Sequence, residues 1–263
     1  MLAEMLLYRC VRAQKWVERI GYRAGAVRLW SRHGRCKRLW APHLANTRDF
    51  VAAAADASPG RRTALVFGSG LLADLPLAHL ADRFARVDLV DIVHLPTVRW
   101  RTRRYPNVRH IVGDLTGVGA GLVAGDLPEP HSDFGLDDKS VDFVVSLNLV
   151  SQLPLAAADW LEEKRGWSES LRDAYAARIV EAHLSHLRRF AAPVCLVGDA
   201  ERRFFDRNGV ETERQDAWFG VVPPPADAAW DWDLAPLGEI SRDYSVRNRV
   251  VAIRELRDSM RIA

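Results

Sequence analysis

Cysteine is scarce: three in 263 residues, Cys10, Cys36 and Cys195, with no Cys-x-x-Cys pair. That excludes a disulfide framework and leaves no thiolate set for structural zinc. Cys195 sits inside the apolar run Pro193-Val-Cys-Leu-Val197 and reads as core packing. The expected compartment is therefore reducing, most simply the cytoplasm. Long apolar runs are missing as well. No stretch of about eighteen uncharged apolar residues occurs, so no membrane-spanning helix is expected. The opening Met1-Leu-Ala-Glu-Met-Leu-Leu7 lacks the basic start and small-residue cleavage site of a signal peptide, so secretion is not expected. No histidine, cysteine or carboxylate cluster has metal-ligand spacing, and no metal is expected.

Acidic residues are nearly absent from the first 48 positions, which hold eleven Arg or Lys against Glu4 and Glu18. The overall net charge of +3 conceals this asymmetry. A basic segment of this kind can meet phosphates, nucleic acid or an anionic membrane, or form the solvated face of a helical lid. The lid is expected, with peripheral membrane contact through the basic N-terminus left open. Trp30, Trp40 and Trp100, each with arginines nearby, offer stacking surfaces for bases. No RNA-binding module accompanies them, so nucleic acid is not an expected partner.

What is present is a rhythm. Residues 1–58 are expected to form a helical extension, from the spacing of Leu2, Leu6, Trp16, Val17 and Ile20 and of Leu44, Thr47, Phe50 and Val51. Ser58-Pro59-Gly60 punctuates the chain. Residues 59–263 then alternate. Strands are predicted at 63–67, 87–90, 108–112, 141–146 and 193–197. Helices are predicted at 72–84 and along the stripe Leu171, Tyr175, Ile179, His183, Leu187. Residues 117–138 read as loop. Strands separated by helices imply parallel pairing with right-handed crossovers, hence a doubly wound α/β sheet. The tail breaks the pattern: 230–234 and 249–253 are strand-like with no helix between them, which favours an antiparallel pair.

Gly68-Ser-Gly-Leu-Leu-Ala73 satisfies G-x-G-x-x-[GA] between a predicted strand and a predicted helix. The first glycine permits the tight turn and the second lets backbone approach a ligand. Asp91 follows 21 residues after Gly70, at the end of the next strand, where a carboxylate can accept from both hydroxyls of a ribose. Together these residues point to a nucleoside-bearing cofactor. The Tyr-x-x-x-Lys pair of short-chain dehydrogenases is absent, which weakens an NAD(P)-dependent oxidoreductase without removing it.

Over roughly residues 60–256 the chain resembles the class I S-adenosylmethionine (SAM)-dependent methyltransferases. Ala64-Leu-Val-Phe-Gly-Ser-Gly70 resembles their first motif and Val87-Asp-Leu-Val-Asp91 their acidic second strand. Gly113-Asp114 resembles the acidic residue near the adenine, and Ser140-Val-Asp-Phe-Val-Val-Ser-Leu-Asn148 the fourth-strand motif. The resemblance implies a Rossmann-like, mostly parallel sheet with a reversed C-terminal strand behind the helical extension. It also implies SAM as cofactor and a small-molecule methyl acceptor. Gly68, Ser69, Gly70, Asp91, Ile92, Asp114, Leu115 and Asn148 would then bind the cofactor. His33, His43 and Gln152 are candidates for the acceptor side, with a histidine as general base if the N-terminal segment folds over the pocket. No residue is singled out for catalysis. The chain departs from the family pattern at Phe67, where an acidic residue is usual, and lacks a third glycine. It also lacks the Asn/Asp-Pro-Pro-Tyr of many amino methylases, since the fourth strand runs on into Asn148-Leu-Val-Ser-Gln152. A non-catalytic protein that retained the fold is the third reading.

Overall fold

A computed structural model of the chain describes residues 2–256; Met1 and residues 257–263, the outer ends of the two expected segments, lie outside the described residues. Three helices come first: α1 (Leu2–Cys10), α2 (Lys15–Arg19) and α3 (Tyr22–Ala57). The strands are β1 (Thr63–Phe67), β2 (Arg86–Asp91), β3 (Val108–Val112), β4 (Val141–Leu147), β5 (Val194–Asp206), β6 (Glu211–Asp216), β7 (Ala228–Ala235) and β8 (Tyr244–Ile253). Between them run α4 (Leu77–Arg83), α5 (Pro96–Thr102), α6 (Gly119–Ala124), α7 (Leu155–Arg165) and α8 (Glu169–Arg188).

The strands form one sheet in the order β3-β2-β1-β4-β5-β8-β7, with β6 paired to β5. Pairing is parallel from β3 through β5. It is antiparallel where β8 lies between β5 and β7. The fold is thus Rossmann-like α/β with β8 as the reversed strand, as expected. β7, antiparallel to β8, runs in the direction of the parallel set.

β1 is buried throughout, which suits an uncharged run covered on both faces. Its alternating side chains divide between two cores. Ala64 and Val66 pack into the layer that holds α3, α4 and α5 residues such as Val51, Leu80 and Val98. Leu65 and Phe67 pack into the opposite layer with Leu122, Leu161, Ile179 and Leu184 of α6, α7 and α8. On the α8 stripe Tyr175, Ile179, His183 and Leu187 are buried, while Leu171 is exposed.

Several elements differ from expectation for identifiable reasons. The helix predicted from residue 72 begins at Leu77, after Pro76, because proline lacks the N–H that an interior position needs and suits a helix start. The predicted loop contains α6, which ends at Gly125 with φ +105°, a left-handed cap that glycine adopts without strain. α7 was not predicted. β5 continues to Asp206 and turns into β6, whose six residues are all exposed and polar, so no apolar alternation announced it. α3 is a single helix of 36 residues that carries Pro42 in its interior.

Candidate functional site

The strand register brings the carboxyl ends of β1, β2 and β4 to one level, beside the middle of β5. Phe67 pairs with Val90 and with Ser146, and Leu147 pairs with Val197. Gly68, Asp91, Asn148 and Asp199 therefore emerge along one edge of the sheet. The edge spans the point between β1 and β4 where the strand order reverses, the place where open α/β sheets bind ligands.

Gly68 has φ +78°, and a Cβ there would lie 2.5 Å from Leu149 Cγ and 2.6 Å from the Leu147 carbonyl oxygen. No other residue fits without displacing the β4 loop. Its N–H donates to the Val90 carbonyl at 3.0 Å. Gly70 faces open space, with nothing nearer to a Cβ than the Gly68 carbonyl at 3.8 Å. The Gly70 N–H donates to Asp91 Oδ2 at 2.8 Å, and Val93 N–H to Oδ1 at 3.4 Å. Burial pushes the Asp91 carboxyl up from its ordinary range, against the pull of these N–H groups. Ser69 is fully buried, and its Oγ has no hydrogen-bond partner. Ile92 is half-buried beside this turn's acid.

Asp114 is committed to its own loop. Oδ1 accepts from Thr116 N–H at 2.8 Å and from Thr116 Oγ at 2.6 Å, and Oδ2 accepts from Gly119 N–H at 3.1 Å. A carboxylate has about four acceptor positions, so one remains on Oδ2. Leu115 is buried in the same layer as Ile20. The N-terminal segment covers this corner: the Trp16 ring rests on Gly119, where an added Cβ would meet it at 2.3 Å. Trp16 packs edge-on against Tyr22 at 6.3 Å. Burial pushes the Tyr22 hydroxyl up, with Asp114 adding to it.

Across the switch point lies a polar cluster that the sequence did not announce. Asn148, at φ +50°, donates from Nδ2 to Asp74 Oδ2 at 2.7 Å. Ser151 Oγ donates to Asp199 Oδ2 at 3.3 Å, and the Asn248 amide on β8 also bonds the Asp199 carboxylate. Burial pushes Asp199 up to about 6, and burial likewise raises Asp74. Trp218, fully buried, donates from Nε1 to the Asp199 carbonyl at 2.7 Å.

The acceptor-side candidates are not brought together. His43 is a correction: it lies in the aromatic layer between α3 and β7, stacked on Trp232 at 4.1 Å, with Nδ1 accepting from Trp230 Nε1 at 3.0 Å. Burial holds it down to about 3, so it is a neutral packing residue rather than a base at an open site. Gln152 is exposed, and its neighbour Ser151 is the residue turned inward. His33 is half-buried against Trp40 at 5.8 Å, and burial together with Lys37 and Arg101 holds its pKa down. Arg101, on α5, donates to the Leu71 carbonyl beside the glycine turn at 2.8 Å.

Much of the N-terminal basic charge is engaged within the chain. Arg35 pairs with Glu239 at 2.6 Å and Arg48 donates to the Ala73 carbonyl at 2.5 Å. Trp40 is buried while Trp100 is exposed, so they form no shared stacking platform. Among the described residues no group of three or more His, Cys, Asp or Glu is placed to hold a metal, and no helix is long and apolar enough to cross a membrane.

No family model matches the chain, and no curated protein matches it. Solved structures do. A Burkholderia thailandensis 1,6-didemethyltoxoflavin-N1-methyltransferase, solved with S-adenosylhomocysteine, is 16% identical over 87% of this chain and 88% of its own, with a TM-score of 0.39. The N-methyltransferase NodS of Bradyrhizobium japonicum, also with S-adenosylhomocysteine, is 13% identical over 78% and 87%, with a TM-score of 0.34. A Haloferax volcanii protein in complex with a methyltransferase activator is 20% identical over 64% of this chain, which spans 56% of that one, with a TM-score of 0.30. The chain is similar at this distance to SAM-dependent methyltransferases, while its fold rests on its own strand order.

Proposed function

We propose that the chain is a SAM-dependent methyltransferase acting on a small molecule. The observation that carries the reading is the Gly70 N–H seated on the Asp91 carboxylate at 2.8 Å, at the carboxyl edge of a sheet whose order reverses between β1 and β4. Gly68, Ser69 and Gly70 would lie against the methionine and ribose portions through backbone. Asp91 would accept from the ribose hydroxyls, with Ile92 packing beside it. The free acceptor position on Asp114 would take the adenine amine, with Leu115 beneath the ring and the Trp16–Tyr22 pair closing that corner. Asn148 would border the methionine end. When bound, SAM supplies a methyl group on a positively charged sulfonium. Because such a transfer gains much of its rate from alignment, the chain's work is to fix the acceptor and keep water out.

The reversed β8 speaks against the NAD(P)-dependent reading, which calls for a continuous parallel sheet. Calorimetry with S-adenosylhomocysteine tests the proposal. The native chain should bind it. Asp91→Ala should weaken binding about 100-fold, for two hydrogen bonds to a charged acceptor at about 1.5 kcal/mol each. Absence of binding to the native chain, or an unchanged affinity in the variant, refutes it. Binding without methyl transfer to any acceptor in a cell extract would instead favour the non-catalytic reading.

A further inference from the structure

We infer that the cluster formed by Asp74, Asn148, Ser151, Asp199 and Asn248 is the seat of a positively charged aliphatic amine, which makes the methyl acceptor an amine: the bound ammonium would pass one proton to the Asp199 carboxylate, and the freed nitrogen lone pair would take the methyl group as the sulfonium leaves as a neutral thioether. As an acceptor assignment it rests on the proposed function; as a binding site it stands on its own geometry.

Four of the cluster's residues are more than nine-tenths buried: Ser151 is 3% exposed, Asn148 7%, Asp199 3% and Asn248 1%. The last three each leave one oxygen without a hydrogen-bond partner, namely Asn148 Oδ1, Asp199 Oδ1 and Asn248 Oδ1. The amide orientations follow from their neighbours. An amide facing an ionised carboxylate must present its N–H₂, as Asn148 does to Asp74 and Asn248 to Asp199, so the carbonyl oxygens are the groups left over. All three unpartnered atoms are therefore acceptors. Buried polar atoms in native proteins are nearly always paired, and an ammonium presents three N–H donors and no acceptor.

The charges at the cluster also favour a cation. Asp74 acts through space to raise the Asp199 pKa, after burial itself. Arg48 acts on Asp74 and Arg202 on Asp199 only at a distance. Arg48 directs its guanidinium to the Ala73 carbonyl, and Arg202 Nε is itself buried without a partner. A carboxylate buried without a contacting cation is strongly unfavourable, and a cationic ligand relieves it. A metal is the other common solution, but among the described residues no three His, Cys, Asp or Glu converge here or elsewhere. The remaining oxygens are amides and one serine, which suit hydrogen bonding to nitrogen. Asp74 is the cluster's only partly buried member and follows directly on the glycine turn.

The test compares n-butylamine with n-butanol and butyrate, by calorimetry and thermal shift on the full chain at pH 7.5. Each is measured with and without saturating S-adenosylhomocysteine. Butylamine should bind about tenfold or more tightly than butanol, with no binding of butyrate, and Asp199→Asn and Asp74→Asn should each remove that preference about tenfold while leaving S-adenosylhomocysteine affinity within about twofold. Butylamine binding no better than butanol overturns the inference, as does a preference that survives both substitutions. A parallel loss of S-adenosylhomocysteine affinity in Asp199→Asn also overturns it, because the cluster would then hold the cofactor's own amino group. The native-chain comparison needs no variant to fold. Amine binding without S-adenosylhomocysteine binding would sink the methyltransferase proposal and leave this site standing. S-adenosylhomocysteine binding without amine preference would do the reverse.

Discussion

Replacing Asp199 by Asn should make the ligand-free protein more stable, and by an amount that depends on pH. Burial raises the Asp199 carboxyl from an ordinary 3.8 to about 6. Because its native-state pKa is raised, the folded protein holds this proton more tightly than the unfolded chain does. Stability therefore falls as pH rises between these two values and stays reduced above them. With about 1.4 kcal/mol per pH unit, the full penalty is about 3 kcal/mol, and about half of it has developed by pH 5. Asn removes the charge but keeps an oxygen to accept from Ser151 Oγ. Urea unfolding of both proteins at pH 5, 6, 7 and 8 should show the variant more stable, with the gap widening from pH 5 to pH 7 and then levelling. A gap that stays constant with pH, or a variant less stable than the native chain at pH 8, would mean that Asp199 carries no buried charge. The same substitution is expected to lose the amine, so stability and binding should move in opposite directions.

Gly68→Ala should destabilise the fold and abolish S-adenosylhomocysteine binding, because a left-handed φ costs about 1–2 kcal/mol for a residue with a Cβ and Leu149 and Leu147 leave no room for one; thermal unfolding and calorimetry read the two effects. Trp218→Ala should cost about 3–5 kcal/mol in urea unfolding, the range for emptying a large aromatic site, and it also removes the Nε1 donor to the Asp199 carbonyl. Gly119→Ala should push Trp16 off its seat with little loss of global stability, and limited trypsin digestion followed by mass spectrometry should then cut faster at Arg12, Lys15 and Arg19.

The turn and its acid were legible in the sequence because both are local. Gly68, Gly70 and Asp91 lie within one strand–helix–strand unit, and the apolar runs of β1 and β2 fix their level on the sheet. The reversed strand was legible in the same way, from two runs with no helix between them. The polar cluster was not, since Asp74, Asn148, Asp199 and Asn248 come from four separate segments and meet only through strand order. A left-handed Asn148 is also invisible in composition. His43 looked like a lid residue because its partners Trp230 and Trp232 lie nearly two hundred positions away, and nothing in its own neighbourhood marks a packed layer. β6 carried no pattern because neither of its faces meets the core.

The length of α3 limits how the site can open. At about 1.5 Å per residue, its 36 residues make a rod about 54 Å long. The rod is fastened at the Ala73 carbonyl through Arg48, at the Leu234 carbonyl through Trp40 and at Glu239 through Arg35. It works as a tie-rod between the glycine turn and the far edge of the sheet, and it cannot swing without tearing out the aromatic layer on β7. Gly21, whose φ of +100° sits where glycine turns freely, marks the joint between this rod and the two short helices before it. Opening the Asp114 corner therefore calls for movement of the two short helices rather than of the rod, and the sequence marks that division with one glycine.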